Sequence, residues 1–81
     1  MDVKVLGPGC MKCRKLFAET EKAIAESGIE ADLAKVERID EIANYGVMMT
    51  PALVIEGTVK CVGKIPSTAQ IATWLKEAAA V

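Results

Sequence analysis

The chain has 81 residues, 52% of them hydrophobic, and a formal net charge of −1 from 10 basic and 11 acidic side chains. This length predicts one domain, residues 1–81, with enough apolar residues for a single core. The balanced charge argues against nucleic-acid binding, and no run approaches the ~18 apolar residues of a membrane span. The N-terminal residues lack the basic start and long apolar stretch of a signal peptide, so we expect a cytoplasmic protein.

The first half of the chain has the pattern of a βαβ unit. Asp2 to Leu6 predicts a strand that is apolar on both faces and therefore central. From Cys13 onward, apolar side chains recur at helical spacing, and Ser27-Gly28 ends that helix. Glu30 to Val36 predicts a second strand, which a right-handed crossover would make parallel to the first.

The second half predicts a short helix, a hairpin and a final helix. Ile39 to Tyr45 has the pattern of the short helix. Ala52 to Ile55 and Val59 to Val62 predict the hairpin strands, with Gly57-Thr58 as a type II′ turn. Ser67 is placed to cap the last helix. The element order is therefore βαβαββα.

The motif Cys10-Met11-Lys12-Cys13 follows the first strand and opens the first helix. Thiols at i and i+3 on a first helical turn face the same side and can reach each other. The helix N-terminus favours thiolate over thiol, so the pair can open and close a disulfide. Two thiolates also bind soft metals. The motif alone therefore leaves redox and metal chemistry open.

A strand, a CxxC motif at a helix start and an X-Pro bond before a hairpin together form the thioredoxin-like pattern. Over essentially its whole length the chain closely resembles the small, glutaredoxin-sized thioredoxin-like redox-disulfide proteins of bacteria and archaea. Cys10-Met11-Lys12-Cys13 matches their redox motif, Thr50-Pro51 their cis-proline pair, and Gly63 the glycine after their fourth strand. The resemblance implies a thioredoxin-like α/β fold, with a four-stranded mixed sheet flanked by three helices.

The same resemblance implies a thiol–disulfide oxidoreductase whose partners are protein disulfides or dithiols. A thioredoxin-reductase-like flavoenzyme would donate electrons, and no cofactor would be bound beyond the redox-active disulfide Cys10–Cys13. We expect a monomer. The residues expected to support the groove in which a partner's extended chain docks are Gly9, Met11, Lys12, Met49, Thr50, Pro51 and Gly63.

The chain departs from the better-known relatives at three places. Thioredoxins have Trp-Cys-Gly-Pro-Cys, whereas Cys10 here follows Gly9 and the inner pair is Met11-Lys12. Thioredoxins carry a buried Asp six residues before the first Cys, where this chain has Lys4. Glutaredoxins bind glutathione partly through a Gly-Gly-x-Asp segment after the fourth strand, and the corresponding segment from Val62 to Ser67 has no acidic residue. We therefore expect neither thioredoxin's own pKa tuning nor glutathione dependence.

The two thiols of the motif should differ in exposure. Cys10 precedes the apolar stripe of the helix, whereas Cys13 lies on it and should be mostly buried. We therefore expect Cys10 to attack as the nucleophile and Cys13 to resolve the mixed disulfide. Lys12 either stabilises the thiolate or is simply a solvated charge.

The alternative function is a soft-metal binding or carrier module that uses the CxxC thiolates. Copper and mercury carriers have a βαββαβ order and usually a Met where this chain has Pro8. A structural zinc site normally needs four ligands, and this chain has three Cys and no His. The third thiol, Cys61, is interpreted first as a small hydrophobe on a strand. Met48 and Met49 either line the docking groove or pack in the core.

Overall fold

The computed structural model describes residues 1–9 and 11–80. Over these ranges the elements follow the predicted order: β1 (Asp2–Leu6), α1 (Met11–Ser27), β2 (Asp32–Val36), α2 (Ile39–Asn44), β3 (Ala52–Ile55), β4 (Thr58–Val62) and α3 (Thr68–Ala79). The strands form one mixed sheet in the order β2-β1-β3-β4. The predicted α/β fold, a four-stranded mixed sheet with three helices, is thus confirmed for the described residues.

Strand β1 lies inside the sheet, as its two apolar faces predict. It pairs in parallel with β2, where Val5 lies opposite Lys35, and antiparallel with β3, where Val5 lies opposite Leu53. Every residue of β3 is buried. Parallel pairing brings the carboxyl ends of β1 and β2 to the same edge of the sheet. The Gly7 N–H extends this pairing by donating to Val36 O at 2.8 Å.

Helices cover both faces of the sheet. The larger core lies between the sheet and the pair α1 and α3, whose fully buried side chains include Leu16 and Leu75. A smaller core packs Ile42 of α2 against Leu6 and Val54 on the opposite face. None of the helices in the described part of the chain is long and apolar enough to cross a membrane.

The hairpin turn differs from the prediction. Ile55 pairs with Thr58, so the two turn residues are Glu56 and Gly57 rather than Gly57-Thr58. Both have positive φ, 50° and 79°, which is the pattern of a type I′ turn, not type II′. Glu56 therefore occupies the first central position of the turn in the left-handed conformation, and Gly57 occupies the second. Strand β4 begins at Thr58, one residue earlier than predicted.

Other predicted boundaries are close. Helix α2 ends at Asn44 rather than at Tyr45, which follows it as the C-cap. Strand β2 begins at Asp32 rather than at Glu30. Ser67 caps α3 as predicted, because its Oγ accepts a hydrogen bond from the Gln70 N–H at 3.1 Å. This bond satisfies one of the backbone donors that every helix start leaves without an intrahelical partner.

Candidate active site

The described part of the CxxC motif, Met11 to Cys13, lies near the end of strand β1. The prediction for Cys10 lies outside the described residues. Met11, Lys12 and Cys13 form the first turn of α1. Met11 is 86% exposed and Cys13 is 5% exposed, so Cys13 lies on the buried side of the helix as its position on the apolar stripe predicts.

Gly7 packs directly against the Cys13 side chain. A Cβ atom added to Gly7 would overlap Cys13 Sγ and would lie 3.0 Å from Cys13 Cβ and 3.8 Å from Thr50 Cβ. The site therefore needs glycine here for close approach. The sequence motifs assign Gly7 no role at the site. Its position immediately after a buried strand, ahead of a thiol on a helix stripe, is the signal that could have identified this contact.

The Thr50-Pro51 loop lies beside Cys13, across Gly7. The Thr50–Pro51 peptide bond is cis, and Pro51 is buried. The Gly63 N–H donates to Pro51 O at 2.7 Å. A Cβ on Gly63 would lie 3.2 Å from Met49 Cε. The fold therefore brings four predicted groove residues, Met49, Thr50, Pro51 and Gly63, to the same end of the molecule as Cys13.

A cleft of about 110 Å³ opens on the other side of Cys13. Gly9, which has a φ of 93°, lies on this side, and its Cβ position is 3.2 Å from Glu37 Oε2. The charged side chains that line the cleft are Arg14, Lys35 and Glu37. Sequence reasoning assigned none of them to the site. The available signal was topological, because parallel pairing places the end of β2 beside the end of β1.

The profile of the thioredoxin domain matches residues 1–76. This chain belongs to the thioredoxin family. It is 36% identical over 74 residues to a thioredoxin of Methanocaldococcus jannaschii, which covers 91% of this chain and 85% of that protein. It is 31% identical over 71 residues to a thioredoxin of Methanothermobacter thermautotrophicus, covering 88% of this chain and 92% of that protein. These relatives support a function of the thiol–disulfide oxidoreductase type.

We call the end of the molecule that carries Cys13 and the Thr50-Pro51 loop the thiol end. Exposed apolar side chains lie around it. Met48 is 97% exposed, Met49 62% and Ile39 69%. Met48 and Ile39 line a groove of about 210 Å³ that also includes Pro8 of the turn before the CxxC motif and Thr50. Of the two interpretations of Met48 and Met49, core packing is therefore wrong, and both side chains face solvent near the site.

Lys4 belongs to the opposite face of the sheet. Side chains alternate along a strand, and Val3 and Val5 occupy the face covered by α1. The Lys4 Nζ donates to Tyr45 Oη at 3.1 Å and lies 3.5 Å from Asp2 Oδ2. The hydrogen bond to Tyr45, followed by the charge of Asp2, raises the pKa of Lys4. Lys4 therefore forms a contact between β1 and the residue after α2.

Cys61 lies on β4 opposite Leu53, half-buried against the larger core. Burial raises the pKa of its thiol. Both observations agree with its interpretation as a small hydrophobe on a strand. Among the described residues, which leave out Cys10, no group of three or more Cys, Asp or Glu side chains is placed to hold a metal ion.

Proposed function

We propose that this protein is a thiol–disulfide oxidoreductase that exchanges electrons with protein partners through Cys10-Met11-Lys12-Cys13. Membership of the thioredoxin family supports this reaction type. The observation that carries the assignment to the motif is the position of Cys13, buried on the first turn of α1 against Gly7 and next to Thr50. The Cys13 thiol is therefore shielded from solvent and lies close to both the residue after β1 and the Thr50-Pro51 loop.

In the proposed reaction, the Cys10 thiolate attacks one sulfur of a partner disulfide. The other partner sulfur leaves as a thiolate, and a mixed disulfide with Cys10 forms. Cys13 then loses its proton and attacks the Cys10 sulfur. The Cys10–Cys13 bond forms, and the bond to the partner breaks. Two electrons pass from the dithiol to the partner, and a thioredoxin-reductase-like flavoenzyme restores the dithiol.

The neighbouring loops are proposed to hold the partner's extended chain. Pro51 has no N–H, which leaves the Thr50 backbone to pair with the docked segment. Gly63 allows the two loops to pack closely, since a side chain at this position would crowd Met49. Met49 and Met11 offer exposed, adaptable apolar surface to differing partners.

Two further residues complete the proposal. Lys12, exposed beside Cys13, adds cationic stabilisation to the thiolate form. Gly9, with its φ of 93°, shapes the turn that leads into the motif. We propose a monomer that works without glutathione in a reducing, cytoplasmic compartment, where a close Cys pair serves catalysis or metal binding more often than structure.

Trapping tests the assigned roles of the two thiols. In a Cys61→Ser background, Cys13→Ser should accumulate a mixed disulfide through Cys10 when the protein is mixed with a disulfide-containing protein, because no resolving thiol remains. Cys10→Ser is the matched control and should trap little, since its remaining thiol is buried. Non-reducing electrophoresis and peptide mapping measure the adducts. Trapping mainly through Cys13 would reverse the roles, and no adduct in either variant would contradict the function.

A further inference from the structure

We propose that Glu37 is the proton acceptor for Cys13 in the resolving step, an inference that rests on the proposed function. Cys13 is 5% exposed, and a buried thiol must lose its proton before it can attack a disulfide. The proton therefore needs an acceptor that reaches the thiol from the solvent side. The cleft beside Cys13 supplies the route.

Glu37 is the acid among the described residues that line this cleft. The cleft measures about 110 Å³, which accommodates water, since a water molecule occupies about 30 Å³ in the liquid. The carboxylate therefore shares with the Cys13 thiol a space in which water can connect the two groups. Glu37 itself is exposed, so it can pass the proton on to bulk solvent.

The backbone fixes Glu37 relative to the motif. The Gly7 N–H donates to Val36 O at 2.8 Å. Val36 directly precedes Glu37, and Gly7 packs against Cys13 Sγ, so this hydrogen bond fixes the end of β2 next to Cys13. Glu37 Oε2 also lies 3.2 Å from the Cβ position of Gly9, the residue directly before Cys10. The carboxylate is thus placed between the turn that carries the motif and the cleft that reaches Cys13.

Two cations share the cleft with Glu37, Arg14 of α1 and Lys35 of β2. The Lys35 Nζ lies 4.7 Å from the centre of the Phe17 ring, which holds that ammonium group against α1. In the proposed step the Cys13 S–H proton moves through water to the Glu37 carboxylate. The Cys13 sulfur then bonds to the Cys10 sulfur, the partner thiolate leaves, and the Glu37 carboxyl returns its proton to solvent.

The test separates the two steps with dipyridyl disulfide, a neutral probe that releases one chromophore when Cys10 attacks and a second when Cys13 resolves. The proteins compared carry Cys61→Ser alone or together with Glu37→Gln, Glu37→Asp or Glu41→Gln. Glu41→Gln is the matched control, because Glu41 is an exposed carboxylate on α2 that does not line the cleft. Rapid-mixing absorbance is recorded across pH 5 to 9.

With Glu37 present, the second-phase rate should be nearly level around neutral pH, because the carboxylate takes the proton. In Glu37→Gln it should be about a hundredfold slower near pH 6 and should rise with pH, since general-base catalysis by a positioned side chain typically contributes about a hundredfold or more. Glu37→Asp and Glu41→Gln should keep the level profile.

Identical second-phase profiles for Glu37→Gln and Glu41→Gln would overturn the role of Glu37 and leave the proposed function standing. A first phase with no second phase in the protein that retains Glu37 would contradict the proposed function itself.

Discussion

The larger core and the thiol end of the molecule are built on opposite principles. Between the sheet and helices α1 and α3, side chains such as Leu53, Ile71 and Leu75 are fully buried. At the thiol end, Met11 and Met48 are 86% and 97% exposed, and glycines supply the close contacts. The first region stabilises the fold by burying apolar surface. The second holds one buried thiol among loops whose backbone shape, rather than apolar burial, sets the geometry.

This contrast separates stability from reactivity in space. Substitutions in the larger core should change the free energy of unfolding with little effect on the chemistry of folded molecules. Substitutions of the exposed side chains at the thiol end should do the reverse, whereas substitution of the packed Gly7 should affect both. Substitutions in each region can test that separation.

Leu75→Ala should lower the free energy of unfolding by about 2–5 kcal/mol, because a fully buried leucine is replaced and a cavity remains. Urea unfolding followed by circular dichroism measures the loss. Met48→Ala is the control and should change stability by no more than about 0.5 kcal/mol, as for other surface positions. Similar losses in the two variants would show that the regions are not energetically distinct.

Gly7→Ala should disturb the thiol itself. The added Cβ overlaps Cys13 Sγ, so we expect about 1–3 kcal/mol of destabilisation from overpacking and slower exchange in the molecules that remain folded. The comparison is Gly46→Ala, where φ is 76° but nothing lies near the added atom. That variant should lose about 1–2 kcal/mol through backbone strain and keep its exchange rate. An unchanged exchange rate in Gly7→Ala would mean that this contact does not position Cys13.

Met48→Ser should reduce kcat/KM for a protein disulfide by about fivefold, which corresponds to about 1 kcal/mol of lost apolar contact. The reaction with dipyridyl disulfide provides the internal control, because a small probe has no extended chain to dock in the groove between Met48 and Ile39. Its rate should be unchanged. An equal loss with both substrates would place Met48 in the chemistry rather than in docking.

The smallest effect concerns Cys61 and alkaline pH. Because burial raises the pKa of its thiol, the folded state keeps the proton that the unfolded state loses above about pH 9.0, the ordinary thiol value. Stability should therefore fall as pH rises above that value, and the fall should be shallower in Cys61→Ala. Urea midpoints of both proteins at pH 8 and pH 10 measure the difference. Parallel curves would show that Cys61 ionises as freely in the folded protein as in the unfolded chain.

Sequence patterns located the regular elements well because those elements follow local rules. The bounds of β1 and β3 agree with the apolar runs, and Ser67 caps α3 as its position predicts. The hairpin turn was predicted one residue late, since a glycine can occupy either central position. The pairing of Ile55 with Thr58 decides that Gly57 occupies the second central position.

The site was predictable where a motif covers it and hidden where packing alone creates it. Motif spacing singled out Cys13, Thr50 and Pro51 as candidate site residues, and the fold brings them to the same end of the molecule. The contact of Gly7 with Cys13 and the position of Glu37 at the cleft depend on how β1, β2 and α1 come together. For Gly7 the sequence offers only the indirect signal of its position after a buried strand, and for Glu37 the signal is the parallel pairing of β2 with β1.

The central claim is that Cys10 and Cys13 form a reversible disulfide. The most direct measurement titrates accessible thiols in the Cys61→Ser protein, unfolded after equilibration in a series of dithiol/disulfide redox buffers, with bound metal determined on the same samples. We expect a single two-electron transition in which two thiols disappear together and return on reduction, with no stoichiometric metal. A protein that holds a metal ion on its CxxC thiolates and shows no reversible disulfide would contradict it.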